Sequence, residues 1–277
     1  VPQWNSTLLR AGSFRLDGGS MFGVVPRAVW SRLVSPDEDN CIPLQTNCLL
    51  LEMGGSRVLI ETGNGSKWSD KERTIFGMQD RTIETALGEV GVSTDQIDLV
   101  ILTHLHFDHA GGLTRLAPGG ELVSTFPSAE IIVQQREWDD AMANRSTMSA
   151  TYLRSHLDPI ASQVRCIGGE TTIIEGIEAI PTPGHTWGHQ SILIDDVNGP
   201  TCFTGDLLPT LNHAGRSWSM GYDMLPHETL LTKQRMLSQA VENGWRLILD
   251  HEPGDAVVTV ESDQRKNWFS LVPEQAG

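Results

Sequence analysis

The sequence predicts a mixed α+β fold, two β-sheets packed face to face with helices on their outer sides. Two observations carry this. The order of elements, β-rich hairpins followed by helix, strand and helix, runs through the first half of the chain and again through the second. In addition, four strand-like apolar runs each end in side chains able to bind a metal, between positions 104 and 251. Those strand ends must converge, so residues 1–277 are expected to form a single domain.

Each element has its own signal. Ser13-Phe-Arg-Leu-Asp17 alternates and reads as an early strand. The apolar runs 48–53 and 57–61 flank Gly54-Gly55 and read as a hairpin. A helix is expected over 80–90, with Ile83, Leu87 and Val90 on one stripe and Gly91 as its stop. Residues 98–103 read as a buried strand, 130–133 as another, and 134–144 as a short helix. Two further hairpins follow: 171–174 with 177–180 around Glu175-Gly176, and 190–194 with 201–204 around Asn198-Gly199. The clearest helix is 227–242, where Leu230, Leu231, Leu237, Ala240 and Val241 recur at helical spacing and Gly244 ends it. A buried strand at 245–249 and a last short strand at 257–260 complete the reading.

Composition narrows the function classes. The apolar share of 39% and charged share of 20% are those of a soluble globular protein, and no apolar stretch is long enough to span a membrane. The net charge of −15, with scattered Lys and Arg, disfavours nucleic acid as a partner. Cys41, Cys48, Cys166 and Cys202 lack CxxC spacing, and Cys48 and Cys202 read as buried free thiols. The chain begins Val-Pro without an initiator Met and reads as trimmed, processed or partial. A cytoplasmic location is the expectation, with a secreted or periplasmic one left open, as is a homodimer.

The chemistry lies in Thr103-His-Leu-His-Phe-Asp-His109. Four metal-capable side chains, His104, His106, Asp108 and His109, fall within six positions directly after a strand. Later runs end in His185, Asp206 and His251. Seven candidate ligands are too many for one ion, which takes about four; they suit two ions with Asp206 shared. Five His and two Asp are compatible with Zn, Mn, Fe or Co, with zinc the first expectation. Two such ions would lower the pKa of a bound water from about 15.7 toward roughly 7, giving hydroxide at neutral pH, and polarise the scissile bond. No G-x-S-x-G nucleophile motif is present.

His-x-His-x-Asp-His, then Gly184-His185, then Gly205-Asp206, then the late His251 resemble, in that order, the metallo-β-lactamase superfamily of hydrolases. The resemblance implies a four-layer αβ/βα sandwich of two similar halves with metals at one edge. It implies His104, His106 and His185 on one ion, Asp108, His109 and His251 on the other, and Asp206 between them. Glu61-Thr-Gly63 stands where the superfamily usually has Asp-x-Gly, whose Asp supports a ligating His; the longer Glu61 is expected to take that role.

Leu105-His-Phe-Asp-His-Ala-Gly-Gly112 and Thr182-Pro-Gly-His-Thr-Trp-Gly-His189 resemble the branch holding N-acyl homoserine lactonases and methyl parathion hydrolase. So do segments 16–30 and 218–226. The implied substrate is a small lactone, ester or phosphotriester. Thioesterases of the fold normally add a C-terminal helical domain, and the 26 residues after His251 are too few for one. True β-lactamases usually lack the bridging Asp, which disfavours that activity. Lactonases of this type commonly carry a Tyr three residues after that Asp; here the position is Pro209, and Tyr222 is the expected substitute. Asp108 is a candidate proton acceptor as well as a ligand. His213, in the loop after Asp206, is a candidate substrate-facing group, whereas His156 and His227 read as surface residues. Met21, Phe22, Trp30, Trp68 and Trp218 are candidates for an acyl or aryl pocket.

Overall fold

A computed structural model of the chain describes residues 3–148, 150–263 and 268–274. The first half contains β1 (Asn5–Asp17), β2 (Cys41–Met53), β3 (Ser56–Ile60) and β4 (Leu99–Ile101), a small hairpin of β5 (Thr114–Leu116) and β6 (Leu122–Ser124), then β7 (Glu130–Gln134) and β8 (Val164–Ile167). Six of these form one sheet in the order β1-β2-β3-β4-β7-β8. The second half contains β9 (Thr171–Ile174), β10 (Ile177–Pro181), β11 (Gln190–Asp196), β12 (Gly199–Phe203), β13 (Arg246–Ile248), β14 (Val257–Asp263) and β15 (Trp268–Pro273). They form a second sheet in the order β15-β14-β13-β12-β11-β10-β9.

Period-two alternation sorts side chains into layers. Along β2, Leu49 and Leu51 point between the sheets, where they meet Val58, Ile60, Ile192 and Phe203. Cys48 and Leu50 point the other way, onto a core with Ile83 and Leu87 of the helix Ile83–Glu89. On the opposite flank Cys202 and Leu247 pack against Met236, Leu237 and Ala240 of the helix Pro226–Asn243. The result is helix, sheet, sheet, helix, the four layers expected.

Most predicted elements are present with shifted ends. The 227–242 helix runs Pro226–Asn243 and stops at Gly244, whose φ of 64° is the left-handed conformation glycine tolerates. The Gly54-Gly55 hairpin joins β2 and β3 with both glycines at positive φ. Two differences stand out. The strand at 257–260 is not the last, because β15 pairs with it from Trp268 onward. The helix Asp70–Ile75 was not anticipated, although Ser69 and Glu72 form a reciprocal capping box that the S-x-x-E spacing encodes.

Strand direction positions the site. β3, β4 and β7 run parallel in one sheet, and β12 and β13 run parallel in the other. The segments leaving β3, β4, β12 and β13 therefore emerge at one edge, and they carry Glu61, the 104–109 cluster, Asp206 and His251.

Candidate metal centre

The peptide turns sharply where the first ligands lie. After Ile101, residues 103–106 leave the strand and the short helix Phe107–Ala110 begins with His106 as its N-cap. Gly205 has a positive φ of 55°, and a Cβ there would lie 2.8 Å from Thr103 Cβ, so only glycine lets the Asp206 turn approach the His104 strand.

Asp206 presents its two oxygens to two different groups. Oδ2 lies 2.9 Å from His185 Nε2 and 3.8 Å from His104 Nε2. Oδ1 lies 3.1 Å from His251 Nε2 and 3.7 Å from His109 Nε2. His106 joins the first group, its Nδ1 2.9 Å from His185 Nε2. Asp108 joins the second, 3.5 Å from His251 Nε2 and 3.7 Å from His109 Nε2. All seven residues expected as ligands thus come together.

The donor atoms fit divalent cations. His104 Nε2, His109 Nε2, His251 Nε2 and Asp206 Oδ1 are buried and have no hydrogen-bond partner, and His106 faces the first group through Nδ1. Each such orphan costs about 1–3 kcal/mol unless something satisfies it; a cation held by each group would do so. Ligand atoms of His104, His106, His185 and Asp206 lie within 4.8 Å of one another, as do those of His109, Asp206, Asp250 and His251.

The opposite ring nitrogens are held by partners that fix orientation, as metal-binding imidazoles require. His185 Nδ1 donates to Asp223 Oδ1 at 2.9 Å, His251 Nδ1 to Gln45 O at 2.9 Å, and His109 Nδ1 to Glu61 Oε2 at 3.1 Å. Glu61 also accepts from Thr103 N through Oε1, at 2.7 Å, so the support expected of it is geometrically in place.

The electrostatics report crowding of buried charge. Burial would push the His185 and His109 pKa values down, but Asp206 and Asp223 raise His185 to about 10, and Glu61, Asp108 and Asp206 raise His109 to about 9. Burial opposes ionisation of Asp206, yet His185, His251 and His109 hold it well below the usual carboxylate range. His104 and His106 are pushed down by burial and by neighbouring imidazoles, which keeps them neutral and free to ligate.

A cavity of about 430 Å³ opens onto both groups, with His106, Asp108, His185, Asp206 and His251 at its base. Tyr222 lines it, partly buried. Of the aromatic and Met residues expected in the pocket, Met21 lines it. Phe22, Trp30 and Trp218 instead sit behind Met21 in one apolar cluster, where Phe22 lies tilted against Trp30 and edge-on to Trp218. Trp68 stands behind the wall, edge-on to Phe107, and its indole N–H donates to Asn64 O.

His213 is not where a substrate-facing group would be. It is buried with Nε2 donating to Met21 O at 2.9 Å, Nδ1 against Thr210 Oγ1 at 2.8 Å and its ring stacked on Phe22. Both nitrogens are spent on holding the fold. His156 is likewise buried beside Trp68 rather than on the surface, whereas His227 is exposed. Asp223, Asp250 and His189 also stand at the site, outside the ligand motifs. Asp250 has both carboxylate oxygens buried without partners, 3.8 Å from His251 Nε2. His189 is buried against His104 with Nδ1 on Thr182 Oγ1. The Asp-His pair at 250–251 was the available signal for Asp250.

Comparison with known proteins agrees with this geometry. Residues 41–251 match the family described as the Metallo-beta-lactamase superfamily. An N-acyl homoserine lactonase from Bacillus sp is 31% identical over 171 residues, covering 57% of this chain and 62% of that relative. The chain thus spans less than two thirds of that curated relative's length. Among solved structures, one described as a probable metal-dependent hydrolase from Staphylococcus aureus superposes with a TM-score of 0.88 at 28% identity, covering 100% of this chain and 99% of the other. The dizinc quorum-quenching lactonase AidC shares the fold, with a TM-score of 0.80 at 20% identity, covering 100% and 96%.

The burial of His213 has a pH consequence. Burial, partly offset by the Met21 carbonyl, lowers its pKa to about 4, below the value of about 6.5 expected unfolded. Below pH 6.5 the unfolded chain takes up the proton first, so His213 subtracts stability as pH falls from about 6.5 toward 4. His213→Gln, which does not titrate, should show a shallower fall of Tm across that window in chelated protein. Parallel Tm–pH profiles for the two proteins would contradict the assignment.

Proposed function

The chain belongs to the metallo-beta-lactamase superfamily, and on that premise we propose that it is a dinuclear metal-dependent hydrolase that opens small lactones or cleaves esters. The observation that carries this is the division of Asp206 between two imidazole groups at the floor of a cavity with apolar walls. When bound, two divalent ions supply Lewis acidity toward the substrate carbonyl and make water acidic enough to yield a nucleophile near neutral pH. Zinc is the proposed metal, and His104, His106 and His185 would hold one ion while Asp108, His109 and His251 hold the other.

The protein's own groups do the rest. Asp206 offsets the repulsion between two buried cations. Asp108 faces both His109 and His251 and lines the cavity, so it is suited to accept a proton during attack. Met21, Phe76, Phe107, Met148 and Met220 offer an apolar wall for an acyl or aryl group, with thioether chains able to adapt to shape. The lactonase name carried by the Bacillus relative and the acidic balance of the chain support a small neutral substrate over a polyanion.

The test is a side-by-side comparison of kcat/KM on a lactone, an aryl ester, a β-lactam and an RNA. A lactone or aryl ester should be turned over fastest. A tenfold preference for the β-lactam would overturn the proposal.

Tyr222 is proposed to polarise the carbonyl, since Pro209 holds no hydroxyl at the position where similar lactonases carry Tyr. Losing a donor aimed at developing negative charge costs roughly 2.7–4 kcal/mol. Tyr222→Phe should therefore lower kcat about a hundredfold with metal content unchanged. An unchanged kcat would leave the phenol as part of the wall.

A further inference from the structure

Glu137 is a buried carboxylate that the mechanism above does not use. It lies in the first turn of the helix Gln135–Met142 and is 1% exposed. Its three hydrogen bonds are specific. Oε1 accepts from Leu105 N at 2.9 Å and from Tyr152 Oη at 3.0 Å; Oε2 accepts from Thr186 Oγ1 at 2.6 Å. Leu105 is the residue between His104 and His106. Thr186 follows His185. Tyr152 packs its ring on His106 with centroids 5.1 Å apart. Gly188 lets the helix seat this closely, since a Cβ there would lie 2.3 Å from Glu137 N.

We propose that Glu137 is the positioning residue of the first metal group: it ties the segment carrying His104 and His106 to the segment carrying His185, so that three imidazoles from two halves of the fold converge on one ion. It touches the backbone and hydroxyls beside the ligands rather than the ligand nitrogens. The second group has its own supports in Glu61 and Gln45, so loss of Glu137 acts on one ion and spares the other. A carboxylate suits the task because its two oxygens together accept from three donors set at different angles. The inference rests on the two-ion reading.

The experiment is a titration of the zinc-loaded full chain with a zinc chelator, counting ions retained per chain by elemental analysis. Removing a group that orients ligands typically costs 10–100-fold in metal affinity. Glu137→Ala should therefore release one ion at a chelator concentration at least about tenfold lower than the wild type, and the other at the wild-type concentration. The retained ion should lie at His109 and His251 in zinc-edge anomalous diffraction. Glu137→Gln should behave close to wild type, since its carbonyl oxygen can accept from Leu105 and Tyr152 while its amide donates to Thr186. Retention of both ions at the wild-type concentration, loss of both together, or loss of the His109/His251 ion would overturn the proposal. If Glu137→Ala does not fold, the double variant Tyr152→Phe/Thr186→Val removes two of the three bonds and is judged by the same outcomes. A wild-type chain holding fewer than two ions would sink the two-ion reading and this inference together. Two ions in the wild type with an unchanged Glu137→Ala profile would sink this inference alone.

Discussion

Sharing Asp206 between two sets of imidazoles is the constraint around which the site is built. One buried carboxylate turns one oxygen to His104 and His185 and the other to His109 and His251. A buried anion without a cation beside it is costly, and a buried cation without an anion is costly as well. Two divalent ions, held by these residues, would satisfy the orphaned nitrogens, and the carboxylate would offset their mutual repulsion. The supporting bonds from Glu61, Asp223 and Gln45 then orient three of the imidazoles.

The sandwich exists to bring these groups to one edge. Each half ends parallel strands at that edge, and the apolar layer between the sheets, with Leu49, Leu51, Ile192 and Phe203, locks the halves in register. Neither half carries a full ligand set. His104 and His106 come from the first half and His185 and Asp206 from the second, so the first metal group forms only when the sheets pack. The close approaches at Gly205 and Gly188 are where this requirement reaches the backbone.

Local signals in the chain were strong for the metal cluster and for the layers. His-x-His-x-Asp-His after a strand names its chemistry because such density of ligands serves little else, and the helix Pro226–Asn243 is legible from its stripe and its glycine stop. What sequence could not supply was orientation. His213 sits in the loop after the bridging Asp, yet its ring turns to Met21 O and Thr210. Phe22, Trp30 and Trp218 have the chemistry of a pocket wall but satisfy one another instead. Asp223 and Glu137 act across 38 and 32 positions of chain, through contacts that no local pattern announces. β15 takes its register from its partner β14, a contact that lies outside any local pattern.

The central claim is that two ions share Asp206. Anomalous diffraction at the zinc edge from crystals of the zinc-loaded chain tests it most directly. Two peaks about 3.5–4 Å apart, one beside His104, His106 and His185, the other beside His109 and His251, with Asp206 between them, is the predicted result. A single peak in the fully loaded protein, or a second peak out of reach of Asp206, would contradict it.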